Sequence, residues 1–312
     1  MTPQRKVQLM SDDIEVPLIP DCSACIISSL KTLIPLLTQD KEKQYSLFNL
    51  AYERISEGYA KNLTPILLSV TLYQEIYERE GIENPYKEIK QRSKDAALRA
   101  LPIIEKKIDQ FQDRERFQAC LAASIDGNII DFNSVENSPD LDLLVEVFDE
   151  IQREGFALDD SEHLWESLKS QTGKLLFLAD NAGEVILDIP LLRMLKELGW
   201  EITFVVKGRA MINDATIEDI QNTEIEQLVT IADSGAWAHG VPIQFVSNEF
   251  LSLVKHSDLI ISKGQANIET VPEIQQMTGI ETYYITKAKC SHISQAIGAK
   301  RGDNVVLRRP AL

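Results

Sequence analysis

Residues 173–184 read Gly-Lys-Leu-Leu-Phe-Leu-Ala-Asp-Asn-Ala-Gly-Glu. The apolar run Lys174–Ala179 between Gly173 and Asp180 predicts a short strand buried on both faces. Residues 184–198 then predict a helix. Further along, Ile202–Val206, Leu228–Ala232, Leu259–Ser262, Tyr283–Thr286 and Val305–Leu307 predict more strands, with helical stretches between most of them. Strands alternating with helices imply parallel pairing in a doubly wound sheet. The expectation is a Rossmann-like α/β/α three-layer sandwich over residues 165–312.

Upstream of this stretch the pattern is helical. Tyr45, Phe48, Tyr52, Ile55 and Tyr59 recur at spacings of three and four across 43–61, one face of a helix. Thr64-Pro65 predicts an N-cap with proline at the first helical position, and the helix it opens ends near Glu80-Gly81. Asn84-Pro85 opens another, which Pro102 is expected to break or kink. Asp113–Ile125, stopped by Gly127, and Pro139–Glu154 predict two more. No convincing strand precedes residue 170. The chain is therefore expected to place a helical N-terminal region, residues 1–160, before the α/β domain.

Bulk properties narrow the function. Of 312 residues, 44% are apolar and 26% charged, as in soluble globular proteins. With 48 acidic against 32 basic residues the formal charge is −16, which argues against a nucleic-acid binder. It also means that an anionic substrate needs local positive charge at its site, which a metal ion would supply. The start, MTPQRKVQLMSDD, lacks the apolar core of a signal peptide. The apolar runs fall short of a membrane span. Cysteine occurs four times, at 22, 25, 120 and 290, too few for a disulfide scaffold of this size. These features point to a cytoplasmic protein without membrane or nucleic-acid partners.

The chemistry-bearing residues sit past strand ends, where open α/β sheets bind ligands. Asp180-Asn181 offers a carboxylate and an amide oxygen, both suited to a hard divalent cation such as Mg²⁺ or Mn²⁺. Gly183 lets the backbone turn tightly into the next helix. Asp214, in Asn213-Asp214-Ala215-Thr216, offers a second carboxylate. Either position can instead be read as a helix N-cap: Asp180 or Asn181 for one helix, Asp214 or Thr216 for the next. Lys263-Gly264, directly after an apolar strand, suits a bound phosphate, with backbone N–H groups at the following helix start. A solvent-exposed lysine is the plain alternative. Cys22-x-x-Cys25 is half a thiolate metal site, a redox pair or two buried helical thiols, and Cys290 is a further candidate contributor. No G-x-G-x-x-G, no G-x-x-x-x-G-K-[ST], no D-x-D after the first strand and no G-x-S-x-G occurs, so dinucleotide, P-loop, aspartyl-phosphate and serine-hydrolase chemistries lack their signatures.

Taken together, Asp21-Cys22-x-x-Cys25, Gly127-Asn128-x-x-Asp131, Asp180-Asn181-Ala-Gly-Glu184, Asn213-Asp214-Ala-Thr216-x-x-Asp219, Lys263-Gly264-Gln265-x-Asn267 and Lys287-x-Lys289-Cys290 resemble the damage-control phosphatases, formerly domain of unknown function 89. The N-terminal cysteine pair resembles the stand-alone subfamily. Alanine at 266, where glycine is frequent, and Lys255-His256-Ser257 are small departures. The resemblance implies a helical bundle on an α/β/α sandwich and metal-dependent hydrolysis of phosphate monoesters, with Mn, Ni, Co or Mg as the divalent cofactor. It implies a metal site at Asp180, Asn181 and Asp214. On this reading Asp180, Asp214 and Lys263 are catalytic. Asn181, Gly183, Glu184, Lys263, Gly264 and Asn267 hold the phosphate and substrate, a small phosphorylated metabolite such as a sugar phosphate or a phosphopantetheine derivative. Cys22 and Cys25 serve a second metal or the structure. An S-adenosylmethionine-dependent carboxyl methyltransferase and a non-catalytic metabolite-binding module are the rival expectations.

Overall fold

The structure, a computed structural model, describes residues 14–127 and 141–312. Asn128, Asp131 and Pro139, named above, lie outside the described residues.

Three helices open the described chain: α1 (Pro20–Leu37), α2 (Lys41–Ala60) and α3 (Pro65–Glu80). The expected start of α3 is found. Thr64 Oγ1 accepts the Leu67 N–H at 3.3 Å, and Gly81 closes the helix at φ +67°. These helices share an apolar cluster built on Leu30, Leu33, Leu47, Leu72 and Ile76, which also takes in Met211, Ala236 and Ala238. By length and a mean hydropathy of 1.2, α1 is apolar enough to cross a membrane. Its Leu30, Leu33 and Ile34 are fully covered within this cluster.

Next come α4 (Lys87–Ile108), α5 (Asp113–Asp126) and α6 (Leu141–Glu154). Pro102 does not break α4. Ala97, Ala100, Leu101 and Ile104 bury one face of that helix, and proline stands on the exposed face. The loss of one hydrogen bond there is offset by the packing.

The remaining elements are β1 (Leu158–Asp159), α7 (Ser161–Ser170), β2 (Lys174–Leu178), α8 (Glu184–Leu187), α9 (Ile189–Glu197), β3 (Glu201–Val206), α10 (Ile217–Ile220), α11 (Ile225–Leu228), β4 (Thr230–Asp233), α12 (Asn248–Lys255), β5 (Leu259–Lys263), α13 (Gln265–Thr278), β6 (Thr282–Lys287), α14 (Ser291–Ala296) and β7 (Asn304–Arg309). The sheet has seven strands in the order β1-β7-β6-β5-β2-β3-β4. All pairs are parallel except β6 with β7. Strand β1 was not expected. It is two residues long, paired through Leu158↔Val305 and Asp159↔Val306, and so short a strand leaves no periodic signal. The helix expected over 184–198 is two helices, divided at Asp188 just before Pro190.

Alternate strand residues serve opposite faces. Leu175, Phe177, Phe204 and Ile261 pack with residues of α4, α5, α6 and α9. Leu176, Leu178, Val205 and Ile260 pack with residues of α12, α13 and α14. The α/β/α sandwich is therefore present, with α4–α6 forming part of one outer layer. Strand order reverses between β2 and β5, the switch point at whose carboxyl end such sheets bind ligands. Asp180 follows β2 and Lys263 ends β5.

Candidate active site

The β2 and β3 ends are stitched together beyond the sheet. The Ala215 N–H donates to the Asp180 carbonyl at 2.8 Å, the Ala182 N–H to Asn213 at 3.0 Å, and the Lys207 N–H to Ala215 at 2.8 Å. Asn181 and Asp214 form an isolated antiparallel bridge. This pairing brings Asp180, Asn181 and Asp214 to one place although 33 positions separate Asn181 from Asp214.

None of the three is a helix cap. Helix α8 has Gly183 as its N-cap residue and no capping side chain. Thr216 caps α10, and its N–H and hydroxyl both donate to Asp219 Oδ2, at 2.8 and 2.7 Å. Lys90 Nζ reaches the same oxygen at 2.7 Å. Capping has thus passed to Thr216, leaving Asp214 without that duty.

Buried carboxyl groups dominate the site. Asp214 is 3% and Glu184 1% exposed. Burial pushes Asp214 up to about 7, against the pull of Lys207. Burial, then the neighbouring Asp180, pushes Glu184 up to about 8. Asp180 is raised by burial as well, with Lys207, Lys289 and Lys263 opposing. Lys207 Nζ stands 3.6 Å from Asp214 Oδ2, too far for a hydrogen bond, so that shielded oxygen has no donor. An ionised carboxylate oxygen left this way is costly unless a cation meets it. Asn181 donates its Nδ2 to Glu184 Oε1 at 2.6 Å. That bond leaves the amide Oδ1 as the end available to a metal, the orienting work that outer groups do around metal ligands. Two carboxylates and an oriented amide oxygen fit a hard divalent cation. Among the described residues, no three His, Cys, Asp or Glu side chains converge on one point.

The glycines hold this geometry by their lack of a side chain. At Gly264, φ is +80°, and an added Cβ would come within 2.0 Å of Asp180 Oδ2. Gly183 has an ordinary φ of −76°. Its role is not the sharp turn expected but close packing, since a Cβ there would meet Ser93 Cβ of α4 at 2.9 Å.

Lys263 lies fully buried at the end of β5. Its Nζ donates to the Ser124 carbonyl at 2.7 Å and to Asp188 Oδ1 at 2.9 Å, two of its three hydrogens. Burial alone would lower its pKa, but Asp188, Glu184 and Asp180 outweigh that and raise it. Asn267 Nδ2 donates to the Lys263 carbonyl at 2.7 Å, and its shielded Oδ1 has no partner. Cys22 and Cys25 lie on α1, away from this cluster, beside Cys290.

Three residues were given no site role by the sequence. Lys289, quoted above within Lys287-x-Lys289-Cys290 and exposed in the loop after β6, is a cation acting on both Asp180 and Glu184. Lys207 stands beside Asp214. Asp126, fully buried at the end of α5, has both carboxylate oxygens unpartnered, and burial pushes it up to about 8. Its place next to Gly127-Asn128 was the one signal available. Gly127 itself lies against Glu184, and a Cβ there would meet the Glu184 Cα at 2.8 Å.

The chain is similar to known proteins along nearly its full length. The pattern of the damage-control phosphatase ARMT1-like domain matches residues 18–305. An uncharacterised protein of Methanocaldococcus jannaschii is 31% identical over 295 residues, covering 94% of this chain and 96% of that one. A damage-control phosphatase of Pyrococcus horikoshii is 30% identical over 289 residues, covering 92% and 96%. A crystal structure of a DUF89 family protein from Pyrococcus horikoshii superposes with a TM-score of 0.83 at 28% identity, covering 94% of this chain and 99% of that one. The chain belongs to the damage-control phosphatase ARMT1-like domain family.

Proposed function

We propose that this chain is a divalent-metal-dependent phosphatase acting on phosphate monoesters of small metabolites, with its centre at the β2/β5 switch point. The observation that carries the reading is the shielded Oδ2 of Asp214, which receives no hydrogen bond and has only the Lys207 ammonium at 3.6 Å, beside Asp180 and the oriented Asn181 amide. Relatives named damage-control phosphatases support it. Asp180, Asn181 and Asp214 would hold the cation. When bound, it supplies Lewis acidity toward a phosphoryl oxygen and lowers the pKa of water.

The chain's own residues do the rest. Glu184 keeps the Asn181 amide facing the cation side. Lys207 balances the charge of Asp214 and Asp180. Lys263, through its remaining N–H, and Lys289, whose positive charge acts on Asp180 and Glu184, attract the phosphate and offset charge developing in the transition state. Asn267 lies against the Lys263 backbone, and the backbone at Gly264 against Asp180. Asp180 and Asp214, the two carboxylates brought together at the centre, are the candidate general bases. The proposed division of labour keeps the helical residues up to about 160 as support and residues 165–312 as the catalytic part, with α5 as the helix that reaches in.

The test is phosphate release from a panel of phosphorylated metabolites. It is run after exhaustive chelation and again with Mn²⁺, Ni²⁺, Co²⁺ or Mg²⁺ restored. Release that depends on added cation is expected. Full release after chelation overturns the metal reading. Heat of S-adenosylmethionine binding with no phosphate release would favour the methyltransferase.

A further inference from the structure

Helices α1, α3, α13 and α14 line a cavity of ≈ 530 Å³ whose wall carries Cys22, Cys25, Glu269 and Cys290. Cys22 and Cys25 are three positions apart at the start of α1, so they share a face of the helix. Cys290 is the N-cap residue of α14. Glu269 rises from α13, and its Oε2 is shut from solvent without a hydrogen-bond partner. His239 Nδ1, on the same wall, is another shielded atom without one. All three cysteines are free thiols. Burial, and after it the nearness of Cys290 and Glu269, pushes the Cys22 and Cys25 thiols upward. The four groups line one cavity wall. The proposed phosphatase centre uses none of them. Gln265 stands between the two places: its Oε1 accepts the Cys290 N–H at 3.1 Å, and it follows Gly264, which packs on Asp180.

We infer that Cys22, Cys25, Cys290 and Glu269 form a second metal site, for a thiophilic divalent cation of the Zn²⁺ class. Three sulfurs and one carboxylate oxygen make a four-ligand set of the kind that Zn²⁺ takes tetrahedrally. Soft thiolates select against the hard cations that suit Asp180, Asn181 and Asp214, so one chain can hold two different metals. As they stand, the groups line the wall and do not meet at ligand spacing. The site closes by rotation of the thiols between staggered χ1 wells, which is easiest at the exposed Cys25. Each thiol releases its proton to solvent as its sulfur binds, and Glu269 likewise. The ion then ties the start of α1 to α13 and α14, two helices of the β5–β7 half of the sheet.

The inference is tested on the full chain, reduced and stripped of metal. Co²⁺ is titrated in, and thiolate-to-cobalt charge-transfer absorption is read. The oxygen centre cannot give this band. It is expected in the native chain, and it is expected to persist in Asp214→Asn. It is expected to be lost in Cys290→Ser and in Cys22→Ser/Cys25→Ser, with Zn²⁺ retained after dialysis falling in parallel. Alkylation mapped by mass spectrometry needs no variant. Zn²⁺ is expected to protect Cys22, Cys25 and Cys290 together, and this measurement decides the matter if a variant fails to fold. Absence of the charge-transfer band, its survival in Cys290→Ser, or alkylation that ignores Zn²⁺ overturns the inference.

Discussion

Asp180 and Gly264 show how single residues set the site. Gly264 is the position where both the positive φ and the Asp180 carboxylate exclude a side chain. Gly264→Ala should therefore displace the carboxylate and cut phosphate release sharply while the chain stays folded, as read by turnover against circular dichroism. The two lysines separate by environment. Lys289 is exposed, so Lys289→Ala should leave stability within about 0.5 kcal/mol. Loss of one electrostatic contact at a reacting phosphate should lower turnover by about a hundredfold or more. Lys263 is buried against Asp188, and Lys263→Met strands that carboxylate at a cost of about 3–5 kcal/mol. Unfolding and rate measured on both variants check the split, and equal stability losses would contradict it. Asp180 and Asn181 were marked by standing just past a buried apolar strand, a local signal, whereas Asp214 lies in the loop beyond β3 and reaches them through the pairing with Asn181. Lys289 stood in the motif Lys287-x-Lys289-Cys290 but drew no role, because its effect on Asp180 depends on how the loop after β6 folds back.

At the scale of elements, the end of α5 is the piece that locks the site from outside the sheet. Ser124 offers its carbonyl to Lys263 and its hydroxyl to Asp188 Oδ1 at 2.6 Å. Gly127 presses on Glu184. Replacing Lys263 and Asp188 together by Met and Leu should recover much of the stability that either single change loses, since a buried ion pair is often matched by apolar groups of similar size. A double-mutant cycle in denaturant measures this, and strictly additive losses would contradict the tie. The strands β2, β3, β5, β6 and β7 were readable from their apolar runs, and α3 from Thr64, Pro65 and Gly81. The break between α8 and α9 was not read, although Pro190 marked it. The periodic pattern runs on through Asp188, and only the tertiary demand for a buried partner to Lys263 explains why that residue turns inward. Pro102 misled in the other direction, because packing of the opposite face of α4 overrode it.

Across the whole molecule, the acidic chain buries carboxyl groups that favour their protonated forms. Asp126, Glu184 and Glu269 are each pushed up to about 8 from ordinary values of 3.8, 4.5 and 4.5. The folded chain then holds protons that the unfolded chain has released. Their contribution is complete below about pH 4 and is lost as pH rises toward 8. Unfolding free energy without metal should fall across that window. Asp126→Asn should flatten the fall and should be the more stable form at pH 8. A steeper fall in that variant would contradict the sign. The arrangement of the layers followed from strand–helix alternation, but the joining of α4–α6 to the sheet did not, since their apolar faces do not reveal which surface they cover. The central claim is that a divalent cation sits on Asp180, Asn181 and Asp214 and is needed for phosphate release. It is tested most directly by titrating Mn²⁺ into the native chain and into Asp214→Asn while phosphate release is followed. The account predicts a weaker apparent metal affinity in Asp214→Asn, with part of the rate restored at excess Mn²⁺. An unchanged metal dependence in that variant would contradict it.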